Sequence, residues 1–331
     1  MMSLGLRDKG VGTVDGYTHT CRSCGGTAIR ELLSLGRTPL ADALLTQERL
    51  GQPEPTFPLD LAFCQDCSLV QILETVPPEV LFCQDYPYFS SFSDTVLQNA
   101  ARLVERLVQG RRLDGSSLVV EPASNDGYLL QNYVKRGIPV LGIDPAANVA
   151  RAAQQRGIPT IVGFFGRALA QHLRAQGVQA DILHANNVLA HQADLNGFVA
   201  GIGTILKEDG VAVIEVPYVR DLIEHCEFDT IYHEHLCYFS LTSLEALFSR
   251  HHLCINDVER IPIHGGSLRL FVSTRQAAQR PSVEGLLWEE KQLAMDSYQY
   301  YKDFADRVQQ LRASLRSLLG ELKAKGKRIA A

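Results

Sequence analysis

Five short apolar runs between residues 117 and 215 constrain this chain more than any other feature: Ser117-Leu118-Val119-Val120-Glu121, Pro139-Val140-Leu141-Gly142-Ile143, Thr160-Ile161-Val162, Asp181-Ile182-Leu183-His184-Ala185 and Val211-Ala212-Val213-Ile214-Glu215. Each is strand-length, and helical stretches separate them. A strand apolar along its whole length is covered on both faces, and parallel neighbours joined by helices provide that cover. The alternation therefore predicts an α/β domain with a mostly parallel, doubly wound sheet.

In such sheets ligands bind beyond the carboxyl ends of the strands. The first strand ends in Glu121 and leads into Pro122-Ala123-Ser124-Asn125-Asp126-Gly127, with a helix expected from about Tyr128. The second ends in Asp144, placed where a carboxylate can hold two ribose hydroxyls. The Gly-x-Gly-x-x-Gly fingerprint, whose glycines let backbone approach a pyrophosphate, is absent. A turn made of Ser124, Asn125, Asp126 and Gly127 suits a ligand with no phosphate and a zwitterionic tail, which describes S-adenosylmethionine. The same residues can also be a plain helix start, with Asp144 capping the helix that opens at Pro145-Ala146-Ala147. Asn186 and Asn187 follow the fourth strand, on the cofactor side of the expected crevice, and His191 lies just beyond, facing ligand or serving as a cap.

Eight cysteines are present, and four fall into two identical knuckles, Cys21-Arg22-Ser23-Cys24 and Cys64-Gln65-Asp66-Cys67. Four thiolates suit tetrahedral zinc, and a site filled by protein ligands leaves no position to activate water, so the metal is expected to be structural. Redox thiols are the alternative. The thirty-nine residues between the knuckles, with Thr38-Pro39-Leu40-Ala41-Asp42 and Pro53-Glu54-Pro55, read as an extended loop. Cys83, Cys226, Cys237 and Cys254 show no ligand spacing and read as small buried hydrophobes.

The densest chemistry is Tyr232-His233-Glu234-His235. An imidazole can take and return a proton near neutrality, a carboxylate can orient it, and a phenol can donate to a developing oxyanion. His233 and His235 on a strand would share a face and suit a metal, and the segment can also be a structural polar loop. The stretch Tyr86-Pro87-Tyr88-Phe89-Ser90-Ser91-Phe92 reads as a linker with an aromatic anchor, Ser93 as the cap of a helix running through Leu107, and Tyr86 and Tyr88 as a possible substrate wall and phenol.

No apolar run approaches the ~20 residues of a membrane-spanning helix, and Met1–Gly10 lacks the apolar core of a signal peptide. A cytoplasmic protein without membrane association is expected. A formal charge of −5 argues against a nucleic-acid partner. The sequence does not fix an oligomeric state and is compatible with a monomer.

Taken together, the paired knuckles, Tyr86–Ser91, Glu121–Gly127, Asn187-Val188-Leu189-Ala190-His191 and Tyr232–His235 identify a resemblance spanning nearly the whole chain. The chain resembles the S-adenosylmethionine-dependent C-methyltransferases of deoxysugar biosynthesis. The resemblance implies a zinc-binding domain over 15–80, a class I methyltransferase (Rossmann-like) domain over 81–275, and a helical segment at 276–331 leading into a truncated α/β domain. It also implies a nucleotide-linked 4-keto sugar as substrate, His235 as general base, and Tyr232, Glu234, His191 and Tyr88 or Tyr86 around the sugar. Rival readings are a keto-sugar epimerase or nicotinamide oxidoreductase, and a non-catalytic zinc-dependent binding protein.

Beyond the motif, Ser240-Leu241-Thr242-Ser243 reads as a helix start, His264 precedes the turn Gly265-Gly266, and residues 267–272 read as a strand. Residues 282–325 read as one or two charged helices. Gly326-Lys327-Arg328-Ile329-Ala330 reads as the first strand of a further α/β unit without a partner, from which a truncated chain and weak nucleotide-sugar binding are expected.

Overall fold

The computed structural model describes residues 19–82, 86–274 and 279–330, so the N-terminal segment and Cys83 lie outside the described residues. Strands are β1 (Ile29–Thr38), β2 (Phe57–Cys64), β3 (Val70–Ile72), β4 (Val119–Pro122), β5 (Val140–Asp144), β6 (Thr160–Val162), β7 (Ala180–Asn186), β8 (Leu206–Pro217), β9 (Cys237–Tyr238), β10 (Cys254–Ile261) and β11 (Ser267–Ser273).

The five apolar runs all become neighbours in one seven-stranded sheet of order β10-β11-β8-β7-β4-β5-β6. β4 through β8 pair in parallel, whereas β11 is antiparallel to β8 and β10 to β11. The winding starts at β4, runs outward to β6, and then returns to β7 on the other side. The crevice between the carboxyl ends of β4 and β7 is thus a topological switch point, the usual ligand position in this architecture. This is the class I methyltransferase arrangement. Val120, Ile143, Leu183 and Ile214 are fully buried, which is why their strands read as unbroken apolar runs.

The segment between the cysteine knuckles is not the extended loop expected from its prolines. β1 and β2 form a bulged antiparallel hairpin, and only the residues between Thr38 and Phe57 connect them. β3 adds to β2, and β9 adds to β3, giving a four-stranded sheet whose last strand comes from residues 237–238 rather than from the first eighty residues. One apolar core runs through both sheets, from Leu33, Leu61 and Phe63 to Leu222, Phe248 and Tyr301.

Ser93 caps the helix Asp94–Arg111 by accepting from the Val96 amide, and Ser240 and Ser243 form a capping box at the helix Leu241–Arg250. The C-terminal helical region divides into three segments, Pro281–Gln292, Tyr298–Tyr301 and Phe304–Ala324, with Ala294 in the left-handed region (φ 55°) at the first break. Residues 326–330 form no strand, since no neighbouring strand offers them a ladder. Cys237 is buried as expected, but Cys226 and Cys254 are only partly so. No helix among the described residues is long and apolar enough to cross a membrane.

Glu290 fastens the C-terminal helices to the core. Its fully buried carboxylate accepts from the Tyr218 hydroxyl at 2.9 Å, the Leu241 amide at 2.7 Å, the Thr242 amide at 2.8 Å and the Thr242 hydroxyl at 2.6 Å. Replacing it by alanine strands those donors in a dry site. Glu290→Ala is expected to destabilise the protein by about 3 kcal/mol or more, read as a lowered urea midpoint, and a shift below about 1 kcal/mol would contradict this account.

Candidate active site

A cleft of about 1000 Å³ lies over the carboxyl ends of β4, β5, β7 and β8. One end is the switch-point crevice. Its floor is the turn after β4, where the Ser124 amide bonds to the Ile143 carbonyl and the Asn125 amide to Asp144 Oδ2 at 2.8 Å. The other oxygen of Asp144 accepts from the Ala146 amide at 2.9 Å. Burial pushes the Asp144 carboxyl up to about 6, against the pull of those amides.

Ala123, Asn125 and Asn187 all adopt left-handed backbone (φ 52°, 51° and 55°) around this crevice, and all three line the cleft. For alanine that conformation costs on the order of 1 kcal/mol, so a tight turn is being enforced where ligand would sit. Gly127 (φ +78°) closes it, and a Cβ there would come within 2.2 Å of Ile158. Asn186 and Asn187 also line the cleft, each with a buried, unpartnered Oδ1. Those orphaned acceptors and the carboxylate at the end of β5 fit the ammonium and ribose groups of S-adenosylmethionine.

Not every residue expected to hold the cofactor lines the cleft. Glu121, Ser124, Asp126 and Gly127 stand behind the wall of the cleft. Glu121 is buried with an unpartnered Oε2, and burial, with Asp144 next, pushes its carboxyl well above the ordinary range. Asp126 is fully buried and holds the Ser91 hydroxyl and Arg156. Asn125 lines the cleft, but its side chain accepts from the Ser90 amide at 2.9 Å and donates to the Tyr88 carbonyl at 3.0 Å. Asn148 in turn brackets the Tyr86 backbone. The polar turn thus straps the Tyr86–Ser91 segment over the crevice, and Asn148 was not legible as part of that strap.

The other end of the cleft collects Tyr86, Tyr88, His191, Tyr232, His235, Tyr238 and His264. The Tyr232–His235 motif is a turn, closed by the His235 amide on the Tyr232 carbonyl, and not a strand. His233 and His235 therefore do not share a face. His233 leaves the cleft, packs on Phe57 with ring centroids 5.7 Å apart, and places Nε2 3.0 Å from the Pro58 carbonyl. The metal reading of that histidine pair falls with this geometry. Among the described residues the one metal-type cluster is Cys21, Cys24, Cys64 and Cys67.

His235 Nδ1 lies 2.9 Å from the Thr230 carbonyl, an acceptor only, so Nδ1 carries the hydrogen. Nε2 is then an acceptor, facing the Tyr232 hydroxyl at 3.1 Å. Burial pushes the imidazole down to about 4, keeping it neutral. His191 packs edge-on against it with centroids 4.8 Å apart and is likewise pushed down to about 3, by burial and then by His235. Glu234, expected around the sugar, does not line the cleft: it is nearly buried behind it, 3.5 Å from the Tyr86 hydroxyl and 4.0 Å from His191 Nδ1. Burial, and after it Asp42, pushes its carboxyl up to about 8. Burial, and then Glu234, also raises Tyr86 and Tyr232, so both phenols keep their protons. The arrangement offers one neutral base with a fixed tautomer, ringed by hydroxyl donors.

The four cysteine sulfurs lie within 4.8 Å of one another, with Cys21 Sγ 3.5 Å from Cys67 Sγ and Cys24 Sγ 3.6 Å from Cys64 Sγ. A zinc ion bonded to four thiolates sets an edge of roughly 3.8 Å, so the cluster fits the metal closely.

Family models match along the chain: a "Putative zinc binding domain" over residues 21–82, a methyltransferase domain over 94–254, and a C-methyltransferase C-terminal domain over 262–331. The C-methyltransferase NovU of Streptomyces niveus is 36% identical over 312 residues, 94% of this chain and 74% of NovU. Among solved structures, magnesium protoporphyrin IX methyltransferase from Synechocystis PCC 6803 with bound SAH is similar at 15% identity, covering 53% of this chain and 82% of its own, with a TM-score of 0.43. An S-adenosylmethionine-dependent methyltransferase from Clostridium acetobutylicum ATCC 824 is similar at 11% identity, covering 54% and 91%, also with a TM-score of 0.43. The assignment rests on the family models and the NovU match: the chain belongs to the S-adenosylmethionine-dependent C-methyltransferases with a zinc-binding N-terminal module.

Proposed function

We propose that the protein takes a proton from the carbon beside the ketone of a nucleotide-linked 4-keto deoxysugar and methylates the resulting enolate carbon. The observation that carries this reading is the fixed tautomer of His235, a residue lining the cleft, whose basic Nε2 faces the Tyr232 hydroxyl while Nδ1–H is held by Thr230. Bound S-adenosylmethionine supplies an electrophilic methyl group. A C–H bond next to a carbonyl is acidic because its anion spreads onto oxygen, so a neutral imidazole suffices as base when donors stabilise that oxygen. In the resting geometry Nε2 accepts from Tyr232. Substrate entering between them would free the Tyr232 hydroxyl to donate to the developing oxyanion while Nε2 receives the proton. Tyr86, held by Asn148 and raised by burial, is a second such donor, and Tyr88, about half exposed, forms the wall at the mouth. Asp144, Asn186, Asn187 and the backbone of the Ala123–Asn125 turn would hold the cofactor, with its methyl group in line with the enolate carbon.

Supplying a labelled methyl donor with a 4-keto sugar nucleotide tests the reading. Label is expected in a new C–CH₃ group beside the carbonyl. Label only on oxygen or nitrogen, or ketone-dependent oxidation of NADH in place of methyl transfer, would sink it.

The depressed His235 sets the acidic limb of the rate profile. An unperturbed histidine base would lose activity as pH falls through about 6.5. Here the basic form persists until pH falls through about 4, so kcat/KM for the sugar, measured with S-adenosylmethionine saturating so that titration of Asp144 near 6 does not limit cofactor binding, should stay level between about pH 7 and pH 5. A limb centred near 6.5 in protein still folded by circular dichroism would contradict a buried neutral base.

A further inference from the structure

We propose that Asp42, carried by the zinc module on the connection between β1 and β2, is a substrate-binding carboxylate that grips a hydroxyl of the keto sugar. The proposal rests on the keto-sugar reading of the cleft and goes beyond it, because it makes the zinc module part of the substrate site.

Asp42 is an exposed residue that lines the cleft together with Tyr86, His191, Tyr232 and His235. It acts electrostatically on Tyr86, on Tyr232 and on Glu234, where it is the largest influence after burial. Glu234 is 5% exposed and stands behind the cleft lining, whereas Asp42 is exposed and open to the cleft.

The groups facing Glu234 are few: the Tyr86 hydroxyl, the neutral His191 imidazole and Asp42, with Tyr232 nearby. Among the described residues no lysine or arginine acts on it. An ion pair therefore does not explain an acidic pair at this end of the cleft. A hydroxyl-bearing ligand does, since a carboxylate accepts from sugar O–H groups in charge-assisted hydrogen bonds.

The test uses the full chain with zinc bound and compares Asp42→Asn and Asp42→Ala with the wild type. Loss of a hydrogen bond to a charged group corresponds to about tenfold or more. The KM for the 4-keto sugar nucleotide is expected to rise by that factor, with kcat changing less and with cofactor affinity and zinc content unchanged. The alkaline limb of kcat/KM supplies a second reading that a purely structural role would not move. In the wild type it should fall near pH 8, as Glu234 loses its proton, and removing the neighbouring carboxylate should shift it towards acid in both variants. KM within twofold of wild type with an unmoved limb would overturn the proposal. So would a loss of zinc or cofactor binding in both variants, which would assign Asp42 to the fold of the module. Wild-type protein that methylates no keto sugar nucleotide would remove the reaction itself, an outcome separate from active wild type with unaffected variants.

Discussion

His235→Ala should lower methyl transfer by about 10²–10⁴-fold, the usual contribution of a positioned general base, while leaving affinity for S-adenosylmethionine unchanged. The separation of the two effects follows from where the residue sits. His235 bonds to Thr230 and Tyr232, and neither belongs to the crevice formed by Ala123, Asn125, Asp144 and Asn186. A more specific measurement omits the methyl donor and follows exchange of the substrate's α-hydrogen with deuterated water. Wild-type protein should catalyse exchange and the variant should not, because exchange needs only the base. Tyr232→Phe should retain exchange at a reduced rate, since Nε2 keeps its fixed tautomer while one oxyanion donor is lost. Near-normal turnover by His235→Ala would remove it as the base. Normal exchange with lost methyl transfer would instead assign it to alignment.

The parallel sheet was legible because being buried on both faces writes itself into sequence: Val119, Val120, Ile182, Leu183, Val213 and Ile214 leave no polar position to confuse the reading. The zinc ligands were legible for a different reason, since tetrahedral coordination fixes their spacing. The hairpin between the knuckles was hidden, because β1 is bulged twice and its exposed positions do not alternate cleanly with buried ones. β9 is two residues long and pairs with β3 across more than 160 positions of sequence, which no local pattern can announce. In the site, residue types pointed to the right region but not to directions. Asn125 and Asp126 read as ligand contacts, yet their side chains turn to Tyr88, Ser90, Ser91 and Arg156, because the short turn leaves backbone facing the crevice. Asp42 and Glu290 carried no signal at all, for each acquires its role from partners that only folding supplies.

Removing zinc should abolish catalysis while largely preserving cofactor binding, and the coupling is mechanical. The motif that carries His235 is tied to the zinc module at three points: the His233 Nε2 bond to the Pro58 carbonyl, the packing of Phe57 on His233, and the β3–β9 ladder that begins two residues after His235. The Ile72 amide also donates to the Leu236 carbonyl, and the Leu236 amide donates to the Ala190 carbonyl, next to His191. The strand that follows the base is therefore stitched to the zinc sheet on one side and to the His191 loop on the other. A structural zinc site contributes folding free energy on the order of 10 kcal/mol, and it joins the two knuckles directly, beside the Arg22 bonds to Gln71, Ile72 and Glu74 and the shared apolar core. Chelation, or Cys64→Ser, should loosen β1 to β3, release β9 and let His235 drift from the cleft. Methyl transfer and donor-free deuterium exchange should then fall together, in proportion to the zinc lost. Affinity for S-adenosylmethionine should change little, because Asp144, Asn186 and Asn187 stand on β5 and β7 and just beyond β7, in the other sheet. His233→Ala isolates the tie from the metal: with zinc retained, exchange should slow, because the turn has lost its anchor on Pro58. Full exchange activity in zinc-depleted protein would show that the base is positioned without the module.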